Sequence, residues 1–205
     1  MLQKTSKRET RERLLEAAES AILAKGFHAT SIEELIAAVG ITKSGFFYHF
    51  RDKNELARAI LQRYAEGDLE LVDQIFRRGD ELHNDPLHGF LVGLKLFAET
   101  FADLPENHPG CIAASFAYQD QLFDQDIRDA TAASFMMWRR RFRERFELIA
   151  KIYPPKEEID FEALADMAAT LVEGGLILGR VFRDVSVLPR QILLYRDYVR
   201  RIFQP

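Results

Sequence analysis

The sequence predicts an all-α fold, on three observations. Apolar residues recur at three- and four-residue spacing through nearly every segment; no segment alternates apolar and polar residues as a half-buried strand does; and the periodic runs open on capping residues and close on Gly or Pro. Ser6-Lys7-Arg8-Glu9 has the capping-box pattern, and Leu14, Leu15, Ala18, Ile22 and Leu23 follow it on a first helix that Gly26 stops after Lys25. Thr30 and Ser31, each with a glutamate three residues on, open a short helix with Ile32, Leu35, Ile36 and Val39 on its apolar side, and Gly40 ends it. Thr42 caps a second short helix to about His49. Asp52 with Glu55 caps a long one from Lys53 to about Asp80, carrying Leu56, Ile60, Tyr64, Leu71 and Ile75.

Further on, Leu87 to Leu104 form an apolar helix, Pro105 to Gly110 a loop, and Cys111 to about Leu122 a short helix. The helix from Asp124 to Ile152 is the clearest amphipath, with Phe135, Trp138, Phe142, Phe146, Ile149 and Tyr153 stepping by three and four before Pro154-Pro155. A last pair, about Asp160 to Asp184 and about Pro189 to Phe203, is joined by so short a connection that antiparallel neighbours are expected.

Composition narrows the function. The chain has 205 residues, 47% hydrophobic and 29% charged, which is the profile of a globular protein rather than a disordered one. No apolar run approaches a membrane span and the charged N-terminus lacks the form of a signal peptide, so a cytoplasmic protein without a membrane partner is expected. The single cysteine, Cys111, excludes an intramolecular disulfide and cannot alone hold zinc. The five histidines, His28, His49, His83, His88 and His108, do not group with carboxylates at metal-ligand spacing, and the common nucleotide-binding, zinc-protease and nucleophile-elbow motifs are missing; no enzyme, no metal and no cofactor are expected. The net charge of −4 is unevenly spread: residues 1–63 hold 11 Lys and Arg against 8 Asp and Glu, whereas the remainder holds 17 against 24. A basic segment on an acidic chain suits contact with phosphate at one end.

The informative stretch is Thr30 to Leu56, which reads as a helix-turn-helix. Thr42, Lys43, Ser44 and Gly45 would present small or polar groups to base edges in a major groove, and Lys53 at the next helix start would meet phosphate. Phe46 and Phe50 read as the apolar floor of the motif. From Phe27-His28-Ala29-Thr30-Ser31 through Gly40-Ile41-Thr42-Lys43-Ser44-Gly45-Phe46-Phe47-Tyr48-His49-Phe50-Arg51-Asp52-Lys53-Asn54-Glu55-Leu56, the chain resembles the DNA-binding domain of TetR-family transcriptional regulators. The resemblance covers roughly residues 8–56. It implies an N-terminal three-helix helix-turn-helix DNA-binding domain, residues 1–52, and a C-terminal helical ligand-binding and dimerisation domain, residues 53–205, joined by the long helix from 53. It also implies base contacts from Thr42, Lys43, Ser44 and Gly45 and phosphate contacts from Thr30, Tyr48, His49 and Lys53. Two departures stand out: Phe47 replaces a frequent Tyr, and Ile36 and Val39 replace small alanines.

In the remaining two-thirds, Phe90, Leu94, Phe97 and Phe101, then Cys111, Ser115 and Phe116, then Met137, Trp138, Arg141 and Phe142 are candidates to line an aromatic-rich effector pocket. The arginines Arg139, Arg140, Arg141, Arg143 and Arg145 read as a solvated face. Glycines are costly inside a helix, so Gly175 and Gly179, with Leu171, Ile177, Leu193, Tyr195 and Val199, are candidates for a homodimer interface. The expected function is a ligand-responsive regulator: a repressor released from a near-palindromic double-stranded DNA operator by a small hydrophobic or aromatic effector. The alternatives are a helical protein-interaction module, or a redox- or electrophile-sensing regulator using Cys111.

Overall fold

A computed structural model of the chain describes residues 7–103 and 108–204. Ser6, expected to cap the first helix, and the stretch from Leu104 into the following loop lie outside the described residues. Nine α-helices are present among those described, with no strand: α1 Lys7–Lys25, α2 Ile32–Val39, α3 Lys43–His49, α4 Lys53–Leu82, α5 Pro86–Ala102, α6 Ile112–Ala117, α7 Gln125–Ala150, α8 Phe161–Phe182 and α9 Val187–Phe203. The segment expected as one helix to Leu122 stops at Ala117 and is followed by a single 3-10 turn, Asp120–Leu122.

Caps set the boundaries. Ser31 accepts the backbone N–H of Glu34 at 3.1 Å, Thr42 that of Gly45 at 3.1 Å, Asp52 that of Glu55 at 2.8 Å and Asp85 that of His88 at 2.9 Å. Gly40 takes the left-handed conformation (φ 73°), and the N–H of Ile41 returns to the carbonyl of Ile36 at 3.1 Å, which ends α2 in a glycine-terminated turn.

The chain forms two compact units, residues 1–65 with 111–134, and residues 66–110 with 135–205. In the first, α1 packs on α2 and on α6, and α2 on α3. Its interior holds Leu14, Leu15, Ala18, Leu35, Phe46 and Phe50, together with a cluster in which Phe27 lies 5.6 Å from Phe116 and 4.9 Å from Phe123 between ring centroids. In the second, α9 packs on both α5 and α8 around a core of Phe90, Leu94, Trp138, Phe142, Phe146, Tyr195 and Phe203.

The second unit also depends on a close approach of α4 and α5 that depends on glycine. A Cβ at Gly79 would lie 2.3 Å from the carbonyl oxygen of Gly89 and 3.0 Å from the amide nitrogen of Gly93. Gly175 plays the same part between α8 and α9, where a Cβ would lie 2.7 Å from Leu188 Cδ1. The arginines of α7 are less solvated than expected. Arg139 forks onto Asp166 at 2.6 and 2.7 Å, Arg141 reaches Asp73 at 3.1 Å, Arg143 reaches Glu162 at 2.8 Å and Arg145 pairs with Asp80. They tie α7 to α4 and α8, because their guanidinium heads reach carboxylates on those neighbouring helices.

Candidate nucleic-acid interface

The site begins with the turn Gly40-Ile41-Thr42. Once Gly40 has reversed the chain, Thr42 closes the first turn of α3, its Oγ1 accepting from Gly45 N and sharing a hydrogen bond with Ser44 Oγ at 3.0 Å. Phe46 (0% exposed) and Phe50 turn inward as expected, and Arg13 of α1 donates to the Val39 carbonyl at 2.7 Å, locking α1 against the end of α2. Fixing the inner face leaves Thr42, Lys43 and Ser44 exposed on the outer one. At Gly45 a Cβ would make only ordinary contacts, 3.4 Å to Thr42 Oγ1 and 3.5 Å to Ile41 Cβ, so packing within the chain does not demand glycine there.

Lys43, 65% exposed, pairs with Glu33 of α2 at 3.0 Å, and its hydrogen bond to that carboxyl holds Glu33 below the usual carboxylate range. Tyr48 is 65% exposed, with Lys7 Nζ 4.4 Å from its ring centroid. His49 is half-buried, its Nδ1 has no hydrogen-bond partner, and burial together with the charges of Lys7 and Arg11 lowers its pKa. Lys53 donates to the Phe27 carbonyl and sits 4.1 Å from the Phe27 ring centroid; burial, with Lys25 nearby, lowers its pKa. An ammonium with one proton so engaged keeps two for another acceptor.

Thr30 corrects the expectation. It is 1% exposed, its hydroxyl donates to the Gly26 carbonyl at 3.0 Å and its N–H to the Phe27 carbonyl at 3.2 Å, so it closes a turn and offers no group to phosphate. The sequence reading also passed over Lys7 and Arg11, which lie beside Tyr48, His49 and Phe50; their four-residue spacing on one face of α1 was the available signal.

The other candidate residues are distributed as follows. Phe90, Leu94, Phe97, Met137, Trp138 and Phe142 are buried in the second unit, where Trp138 stacks on Phe142 at 5.8 Å and donates to Asp68 at 3.2 Å; Phe101 and Arg141 are half-buried there. Cys111, Ser115 and Phe116 belong to the first unit. The sulfur of Cys111 caps α6, accepting from Ala114 N at 3.4 Å and from the Tyr64 hydroxyl at 3.2 Å.

Of the interface candidates, Leu171 and Leu193 are half-buried against the core, Gly179 is half-buried and Ile177 is exposed. Tyr195, Val199 and Gly175 are corrected: all three face inward, Tyr195 donating to the Leu164 carbonyl at 2.7 Å and Gly175 admitting Leu188 of its own chain. Exposed large apolar residues on the pair are Ile177, already a candidate, with Leu178, Val181 and Phe182 on α8 and Leu194 and Tyr198 on α9. One further correction concerns the histidines. His83, Asp85 and His88 do come together, because the α4–α5 turn folds residues two, three and five apart into one cluster.

A small all-helical unit that buries Phe46 and Phe50 and turns the polar start of α3 outward is a helix-turn-helix of the kind DNA-binding regulators carry. Comparison with known proteins identifies the group. Residues 14–60 match the family model "Bacterial regulatory proteins, tetR family". The chain is 24% identical over 186 residues to an uncharacterized HTH-type transcriptional regulator, YxaF, of Bacillus subtilis, covering 90% of this chain and 92% of that one. It is 32% identical over 94 residues to the HTH-type transcriptional repressor BepR of Brucella suis, covering 44% of each chain. The crystal structure of a TetR transcriptional regulator from Chloroflexus aurantiacus superposes with a TM-score of 0.76 at 25% identity, covering 94% of this chain and 95% of that one. Residues 14–60 thus carry the tetR-family DNA-binding match, and over nearly its whole length the chain is similar to TetR-family transcriptional regulators.

Proposed function

We propose that the protein is a repressor that binds a near-palindromic operator as a homodimer and is released by a small hydrophobic or aromatic effector. The observation that carries the DNA-binding part is the exposed set Thr42, Lys43 and Ser44, with half-buried Gly45 beside them, over a fully buried floor, flanked by Tyr48, His49 and Lys53 as phosphate partners. The first four read bases; the flanking three, with Lys7 and Arg11 added, hold the backbone. BepR, a repressor by name, supports the sense of control.

Pairing is supported by the apolar stripe Ile177, Leu178, Val181, Leu194 and Tyr198, since large exposed apolar patches mark interaction sites. Two copies then present two recognition helices to half-sites about 34–36 Å apart. The effector reading rests on the aromatic interior of the second unit, where the buried Nε of Arg141 has no hydrogen-bond partner and would meet an acceptor on the ligand. Effector binding then shifts the population toward a form that no longer fits the two grooves.

The test is selection of bound duplexes from a random pool by the purified protein, followed by salt titration on the winning sequence. A two-fold-related site whose affinity falls steeply with salt is expected. Failure to enrich any sequence after unfolding, washing and refolding to remove bound small molecules would overturn the reading.

A further inference from the structure

The turn from α4 to α5 assembles a compact group of metal-binding atoms. Helix α4 ends at Leu82 and Asp85 caps α5, so His83 and His88 meet across the turn with ring centroids 4.9 Å apart and planes 23° from parallel. One ligand atom from each of His83, Asp85 and His88 lies within 4.8 Å of the other two. The carboxylate is held from several sides: Oδ1 accepts the backbone N–H of His88 at 2.9 Å and faces His88 Nδ1 at 2.8 Å, and Oδ2 accepts the Tyr153 hydroxyl at 2.6 Å. With His88 Nδ1 deprotonated, its lone pair and Asp85 Oδ1, 2.8 Å apart, can face one ion together in place of the hydrogen bond between them.

We propose that His83, Asp85 and His88 form a binding site for one late first-row divalent transition ion, Zn2+ or its chemical neighbours Co2+ and Ni2+. Two imidazoles with one carboxylate suit these ions, whereas Mg2+ and Ca2+ require oxygen ligands in greater number. Around tetrahedral zinc, with bonds of about 2.0–2.1 Å, ligand atoms stand roughly 3.3 Å apart, so the cluster closes by one to two ångströms at most. His83 supplies that movement: it is exposed, lies beyond the last residue of α4, and its Nδ1 is engaged only by Asp85 N–H at 3.2 Å. Three protein ligands leave a fourth position for water. The ion then clips the end of α4 to the start of α5.

The experiment is calorimetric titration of the tag-free, chelator-washed full-length chain with Zn2+ near neutral pH, with visible absorption of the Co2+ form as the geometric readout. One ion per chain is expected, with a tetrahedral Co2+ spectrum, and affinity weakened at least tenfold in H83A and in H88Q, both of which keep the Asp85 cap. The double variant H83A/H88Q should bind no ion at this site while retaining the circular dichroism and melting temperature of the metal-free wild type. Wild-type protein that takes up no ion, or binds it with the same affinity after both histidines are replaced, would overturn the proposal.

Discussion

At the residue scale, Thr42 and Lys43 each combine a structural with a recognition part, and the two parts separate by experiment. Thr42→Ala removes the cap of α3, a loss of about 1 kcal/mol in unfolding free energy. It should also reorder the operator's base preferences; a destabilised variant with the wild-type ranking of operator variants would leave Thr42 a cap only. His49 gives a pH prediction. Its folded-state pKa is depressed by burial and by Lys7 and Arg11, so on acidification the unfolded chain takes up the proton first. The stability contribution is therefore complete above the unfolded value near 6.5 and declines as pH falls toward the lower folded value. Denaturant titrations from about pH 7 to about pH 5 should show this decline, and His49→Gln should flatten it. The Lys43–Glu33 pair makes a base acceptor compete with a carboxylate. Glu33→Gln should thus raise affinity for the operator more than for random duplex, widening the ratio between them in parallel binding titrations.

Helices are the scale at which the sequence was most legible. Caps and stops are local chemistry, so Ser31, Gly40, Thr42 and Asp52 marked boundaries that the structure matches to within a residue or two. Burial of Phe46 and Phe50 followed from periodicity alone. What escaped depends on partners distant in sequence. The inward turn of Tyr195 and Val199 required knowing that α5 and α8 both pack on α9, and the division of the aromatic candidates between two units required the topology of α6. Thr30 is the local exception: its hydroxyl is taken by the Gly26 carbonyl only four residues before it, in the turn that ends α1. The glycines of α4 and α5 carried no periodic signal, although their absent side chains fix a crossing. Gly79→Ala forces a methyl into the Gly89 carbonyl at 2.3 Å and should destabilise the chain by roughly 2–3 kcal/mol despite the better helix propensity of alanine, measurable by chemical denaturation.

For the whole molecule, the apolar stripe on α8 and α9 is the feature with the widest reach. Val181, 68% exposed, makes a direct probe. Val181→Asp places a charge on that face without disturbing the core, so sedimentation should report a monomer whose melting is that of a folded protein and whose operator binding is lost. On the dimeric reading, each copy supplies half of the grip on DNA, and copies must meet before either half counts. Where single chains predominate, operator occupancy then climbs with the square of their concentration. Doubling expression multiplies bound operator about fourfold, which turns a gradual change in protein level into a sharper change in gene output.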